Sequence, residues 1–136
     1  VPVNDVLDTF FTAVADRDIR LAACFLSPEL QQAVTNVPYA RDAYLYRIHR
    51  ITWDINNMYV SREGVVCAAI TTIEWKGTEP VSQKVLLLLN LNKQQPENRW
   101  YISGITVQGQ FQDQVISEPL PDFARRMNAF FAGLVQ

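Results

Sequence analysis

The chain has 136 residues, 49% of them apolar and 19% charged, enough to bury a hydrophobic core without metal or disulfide staples. Its 12 basic and 14 acidic side chains leave a formal net charge of -2, so no basic field exists to concentrate nucleic acid or anionic lipid. One domain spanning 1–136 is expected, with a surface rich in neutral amides from ten Gln and eight Asn.

Apolar residues at Val3, Val6, Leu7, Phe10, Phe11 and Val14 recur at helical spacing and predict an amphipathic first helix. The polar cluster Asp16-Arg17-Asp18 interrupts it and offers an N-cap to a second short helix, whose buried face is Leu21, Ala22, Phe25 and Leu26. Ser27-Pro28-Glu29 supplies a capping hydroxyl, a proline for the first helical position and a carboxylate in the first turn, predicting a third helix to about Val34. Pro38 is expected to end it.

From about Tyr44 the period changes from helical to alternating, with Ile51, Trp53, Ile55, Asn57 and Tyr59 opposed to Thr52, Asp54, Asn56, Met58 and Val60. Arg62-Glu63-Gly64 predicts a turn into a β-branched strand over 65–75, and two more strands are expected over 81–92 and 99–107. Together they make a four-stranded antiparallel meander. Beyond Gly109 the alternation of Gln108, Gln110, Gln112 and Gln114 against Phe111 and Val115 reads as an extension of the last strand with one solvated face. Pro119 and Pro121 break it, and Asp122 opens a final helix with the stripe Phe123, Met127, Phe130, Phe131 and Leu134. The expected fold class is α+β, with N-terminal helices packed on a curved, cone-like antiparallel sheet of four or more strands and an extra C-terminal helix.

The longest apolar run covers only 85–89, whereas a spanning helix needs about 20 apolar residues, so no membrane-crossing segment is predicted. A chain that opens at Val1, with neither Met nor basic leader, reads as a piece of something longer. The expected setting is a soluble domain, with the periplasmic or extracytoplasmic part of an anchored protein as one candidate. Cys24 and Cys67 match no metal spacing. Two buried free thiols and a disulfide joining the first helices to the sheet both fit them, and no metal or cofactor is expected.

The helical hairpin ending in Ala13-Val14-Ala15-Asp16-Arg17-Asp18, the step Leu26-Ser27-Pro28-Glu29-Leu30 and the late strand Arg99-Trp100-Tyr101-Ile102-Ser103-Gly104 together resemble the nuclear transport factor 2-like, or cystatin-like, superfamily. The resemblance covers about 3–107 and implies a curved sheet wrapped round the long first helix, with a pocket at the open end of the cone. It also implies a choice among isomerases, dehydratases, hydrolases, polyketide cyclases and non-catalytic assembly domains of secretion machines, conjugation machines and kinase hubs, which fold alone does not make. Isomerase and dehydratase members carry a carboxylate base with Tyr or Asp donors in apolar surroundings that raise their pKa, and no residue of this chain matches that carboxylate.

His49 is the sole histidine, but Arg47 and Arg50 beside it oppose a role as general acid, and Asp54 points away from the apolar strand face. No catalytic residue is therefore assigned. Tyr44, Trp53, Tyr59, Trp75 and Trp100 are candidates to line a pocket for a small apolar ligand. Phe123, Met127, Phe130, Phe131 and Leu134 are candidates for an interface with protein partners or a second copy. The expected function is a non-catalytic protein-interaction or assembly domain, as in a secretion or conjugation complex. The alternative is a small-ligand binder or enzyme of the ketosteroid isomerase or polyketide cyclase type.

Overall fold

A computed structural model describes residues 3–35, 47–62, 64–76, 81–94 and 99–134. Helices α1 (Val3–Ala15), α2 (Ile19–Ala23) and α3 (Pro28–Thr35) precede strands β1 (Ile48–Ser61), β2 (Gly64–Trp75), β3 (Val81–Gln94), β4 (Arg99–Phe111) and β5 (Gln114–Pro119). Helix α4 (Leu120–Leu134) ends the described chain. The strands form one antiparallel sheet in the order β1-β2-β3-β4-β5, and the fold is α+β, with helices before and after it. Pro38, Tyr39, Tyr44 and Tyr46 lie outside the described residues.

The stripe predicted on α1 is its buried face: Val6, Leu7, Phe10 and Phe11 are in the core, with Val3 and Val14 packed against it. The helix ends where the Asp18 amide donates to the Ala13 carbonyl and the Arg17 amide to that of Val14, the pattern of a Schellman cap. That cap puts Arg17 at φ 59°, a left-handed conformation usually left to glycine. The guanidinium gives the reason for an arginine, because its Nη2 donates to the Ile48 carbonyl at 2.8 Å and ties the helix end to the start of β1. Asp18 caps α2 by accepting from the Leu21 amide, and Ser27 Oγ caps α3 by accepting from the Leu30 amide.

Two strand features differ from the regular alternation read from sequence. Antiparallel partners share a face, and the pairs Ile51 with Ile73, Trp53 with Thr71 and Ile55 with Ala69 hold the first half of β1 in step with the buried face of β2. A bulge between Ile55 and Asn57 then inserts one residue, so Met58 and Val60 take the inner face while Tyr59 turns to the outer face. The second difference is that the glutamine-rich stretch extends β4 only as far as Phe111. Gln112 and Asp113 both adopt positive φ, 49° and 66°, which closes a two-residue hairpin and returns the chain as β5.

The far edge of the sheet is β5, six residues long and carrying Glu118 and Pro119. β5 pairs with 106–111 of β4, and ahead of it the Ser27 amide donates to the Ile102 carbonyl while the Ile102 amide donates to that of Phe25. β1 forms the other edge.

Phe11 is 1% exposed and stacks on Trp53 with ring centroids 5.3 Å apart, so Phe11→Ala is expected to lower stability by about 3–5 kcal/mol in urea melts. At the strained cap, Arg17→Ala keeps the unfavourable φ and loses the bond to Ile48, whereas Arg17→Gly relieves the φ. The alanine variant is therefore expected to be the less stable of the two by about 1 kcal/mol in the same assay.

Candidate functional site

The inner face of the sheet is closed by two helices. α1 covers it from one side, and α4 folds back with Phe123, Ala124, Met127 and Phe131 buried. Phe131 lies against Trp75 at 5.3 Å between ring centroids, and Phe130 meets Phe111 edge to face at 5.3 Å. Arg126, near the middle of α4, holds the helix to β5, with its Nε and Nη2 donating to Glu118 at 2.6 and 3.1 Å, and that carboxylate raises the Arg126 pKa. The stripe expected as an interface is thus covered within the chain at Phe123, Met127 and Phe131, and the need for a second chain to cover these residues disappears.

The cavity left between the layers is apolar and small, about 70 Å³, with Phe10, Ile51, Trp75, Val107 and Phe123 among its lining residues. Sites for small ligands usually occupy about 300–1,000 Å³. Of the four expected pocket residues that are described, only Trp75 lines this cavity. Its indole Nε1 already donates to Gln83 Oε1 at 3.1 Å, and Gln83 Nε2 in turn donates to the Gln110 carbonyl. Trp53 donates to Asp8 Oδ1 at 3.1 Å while stacking on Phe11. Trp100 stands half-buried beneath the Lys93 ammonium. Tyr59 is on the opposite face of the sheet, turned there by the bulge, and Tyr44 lies outside the described residues. The aromatic side chains are thus dispersed, and both buried-face indoles are satisfied by protein groups.

The candidate proton-transfer residues are also apart from any enclosed space. His49 is exposed at an irregularity between Ile48 and Arg50, and Asp54 is exposed on the outer face opposite Ile70. Among the described residues no group of three or more His, Cys, Asp or Glu is placed to hold a metal ion. Three carboxylates border an open groove along α1 and α2, where Asp8 accepts from Trp53 and Asp18 caps α2.

Cys24 and Cys67 are not bridged. Cys24 is exposed, contrary to the expectation that both thiols are buried, because it falls at the C-cap of α2. Cys67 is fully buried in β2, and desolvation pushes its thiol pKa up.

What the structure does gather is apolar surface. Five of the seven large apolar residues exposed among the described ones belong to the β1–β2 hairpin: Met58, Tyr59, Val60, Val66 and Ile70. Tyr59 and Val60 are 68% and 78% exposed, on opposite faces of the same strand. The hairpin closes at Gly64, whose φ of +150° and approach to the Leu91 carbonyl leave no room for a Cβ. Sequence reasoning missed this group because it placed Tyr59 inside. The available signal was the uncharged run 55–61, flanked by Asp54 and Arg62.

Comparison of the chain with protein-family models, with curated proteins and with solved structures finds no match. Among the described residues no helix is long and apolar enough to cross a membrane.

The two thiols are expected to separate cleanly in a titration with Ellman's reagent. Cys24 reacts at once in the native protein, and Cys67 reacts only after denaturant is added, because it is enclosed and its thiolate is disfavoured.

Proposed function

We propose that this chain is a non-catalytic protein-interaction domain that makes its contact through the β1–β2 hairpin. The observation that carries the reading is the concentration of exposed apolar side chains, Met58, Tyr59, Val60, Val66 and Ile70, on that one supersecondary unit. Scattered apolar residues are ordinary on a protein surface, but a cluster on both faces of a strand end is costly in water and favours a partner that covers it. The small interior supports the same reading, since its indole donors are already used and its volume falls short of a metabolite. An assembly role also agrees with one branch of the nuclear transport factor 2-like superfamily that the element order resembles. On this reading α1 and α4 serve to hold the sheet rigid, and the sheet presents the hairpin.

A photo-crosslinking amino acid placed at Tyr59, in cells that make the protein natively, tests this. Protein adducts are expected from Tyr59 and not from a control position at Glu29 on α3, which is exposed but polar. Absence of adducts from Tyr59, or equal capture from both positions, overturns the reading.

A further inference from the structure

We propose that the partner of the hairpin is an extended, uncharged segment of another protein, which joins the free edge of β1 over 57–61 as an added strand of the sheet. The inference rests on the interaction reading above and adds the form of the partner and the way it is held.

The first ground is that the exposed apolar side chains of β1 face both ways. Antiparallel partners share a face, so Met58 and Val60, opposite the buried Cys67 and Val65, lie on the inner face. Tyr59, opposite the exposed Val66, lies on the outer face. A partner resting on the outer face buries Tyr59 and leaves Val60 in water, and one resting on the inner face does the reverse. A strand laid along the edge flanks both, because its own side chains alternate between the same two faces.

The second ground is the backbone. β1 ends the sheet order, and among the described residues no strand lies on its free side. Alternate residues of an antiparallel strand aim their N–H and C=O to opposite sides, so every second residue of an edge strand keeps both groups for a newcomer. The register with β2 runs unbroken from the Asn57–Ala68 pair to the Ser61–Gly64 pair, which keeps the spacing of those groups regular. The stretch 57–61 contains no charge, no proline and no glycine. β5 is an open edge as well, but it is short, carries Glu118 and Pro119, and exposes a single large apolar side chain, Val115.

The third ground sets the form of the partner. The regular stretch is bounded by the bulge at 55–57 and by the turn after Ser61. A second β1, paired antiparallel about Tyr59, sets its own bulge beside this turn and its turn beside this bulge, so two rigid edges cannot lengthen the contact. A segment without a fold of its own follows the edge past the bulge. Its side chains next to Tyr59 on one face, and next to Met58 and Val60 on the other, meet carbon, so the fitting segment is apolar on both faces and uncharged.

The test places benzoylphenylalanine at Tyr59, at Val60 or at Asn90 of the full chain, in cells that make the protein natively. Asn90 is exposed on the outer face two strands in from the edge. Mass spectrometry of the adducts is expected to find one protein captured from both 59 and 60, at neighbouring residues of one segment, and nothing from 90. A synthetic peptide of the captured segment is then expected to slow exchange of every second amide over 57–61 by about tenfold or more. The same peptide N-methylated at alternate residues, on the side that faces β1, is expected to bind about tenfold more weakly. Capture of one segment from 59 and 60 together with alternate protection supports the proposal. Capture from 59 and 90 without 60, capture from 60 alone, uniform or absent protection, or an adduct between two copies of this chain overturns it, while the interaction reading stands. No adduct from 59 or 60 overturns both.

Discussion

The structure depends on the closing of one face of the sheet by two helices that arrive from opposite ends of the chain. A curved antiparallel sheet with Cys67, Ala69, Thr71, Val85, Leu89 and Val107 on one face needs a second layer, and the α1 stripe is too narrow to provide all of it. α4 completes the cover by bringing Phe123, Met127 and Phe131 onto the same face, beside Trp75. The stopper also fixes the chemistry of the interior. Once α4 is seated, the space that a cone leaves open shrinks to an apolar gap, and the polar atoms near it are spent on one another.

Much of this was legible in the sequence where a single physical period governs a segment. The α1 stripe, the Asp18 and Ser27 caps and the alternation of β2 follow from local rules that tertiary contacts reinforce. The fifth strand was not legible, because a two-residue turn with two left-handed residues normally advertises itself with Asn-Gly or Asp-Gly, and here it is Gln112-Asp113. Nor was the bulge. One inserted residue leaves composition and hydropathy unchanged yet reverses every later side chain on the strand, which moved Tyr59 from an expected pocket wall to the outer surface. The α4 stripe was recognised but its partner was not, since an amphipathic pattern states that a face must be covered without saying by what.

The resemblance drawn over about 3–107 illustrates the same limit. The helical hairpin and the Leu-Ser-Pro step describe how three helices meet a sheet, and that arrangement is present. They say nothing of α4, which decides whether the inner face is a pocket or a core. A pocket-lining set chosen from strand parity alone therefore combined residues with different fates. Trp75 reaches the small cavity, Trp53 is held between Phe11 and Asp8, and Trp100 lies under Lys93 at the far end of its strand.

The bulge and the exposed hairpin are linked by one geometric argument. Without the inserted residue, Tyr59 would share the inner face with Ile55, and Met58 and Val60 would both point outward. The shift exchanges the faces, with Met58 and Val60 inside and Tyr59 outside, and all three remain exposed at the strand end. Bulges ordinarily protect an edge by twisting it away from neighbours, but here the strand continues for several uncharged residues beyond the irregularity. Asp54 and Arg62 stand at the two ends of that stretch, and the described side chains between Asn56 and Ser61 stay exposed.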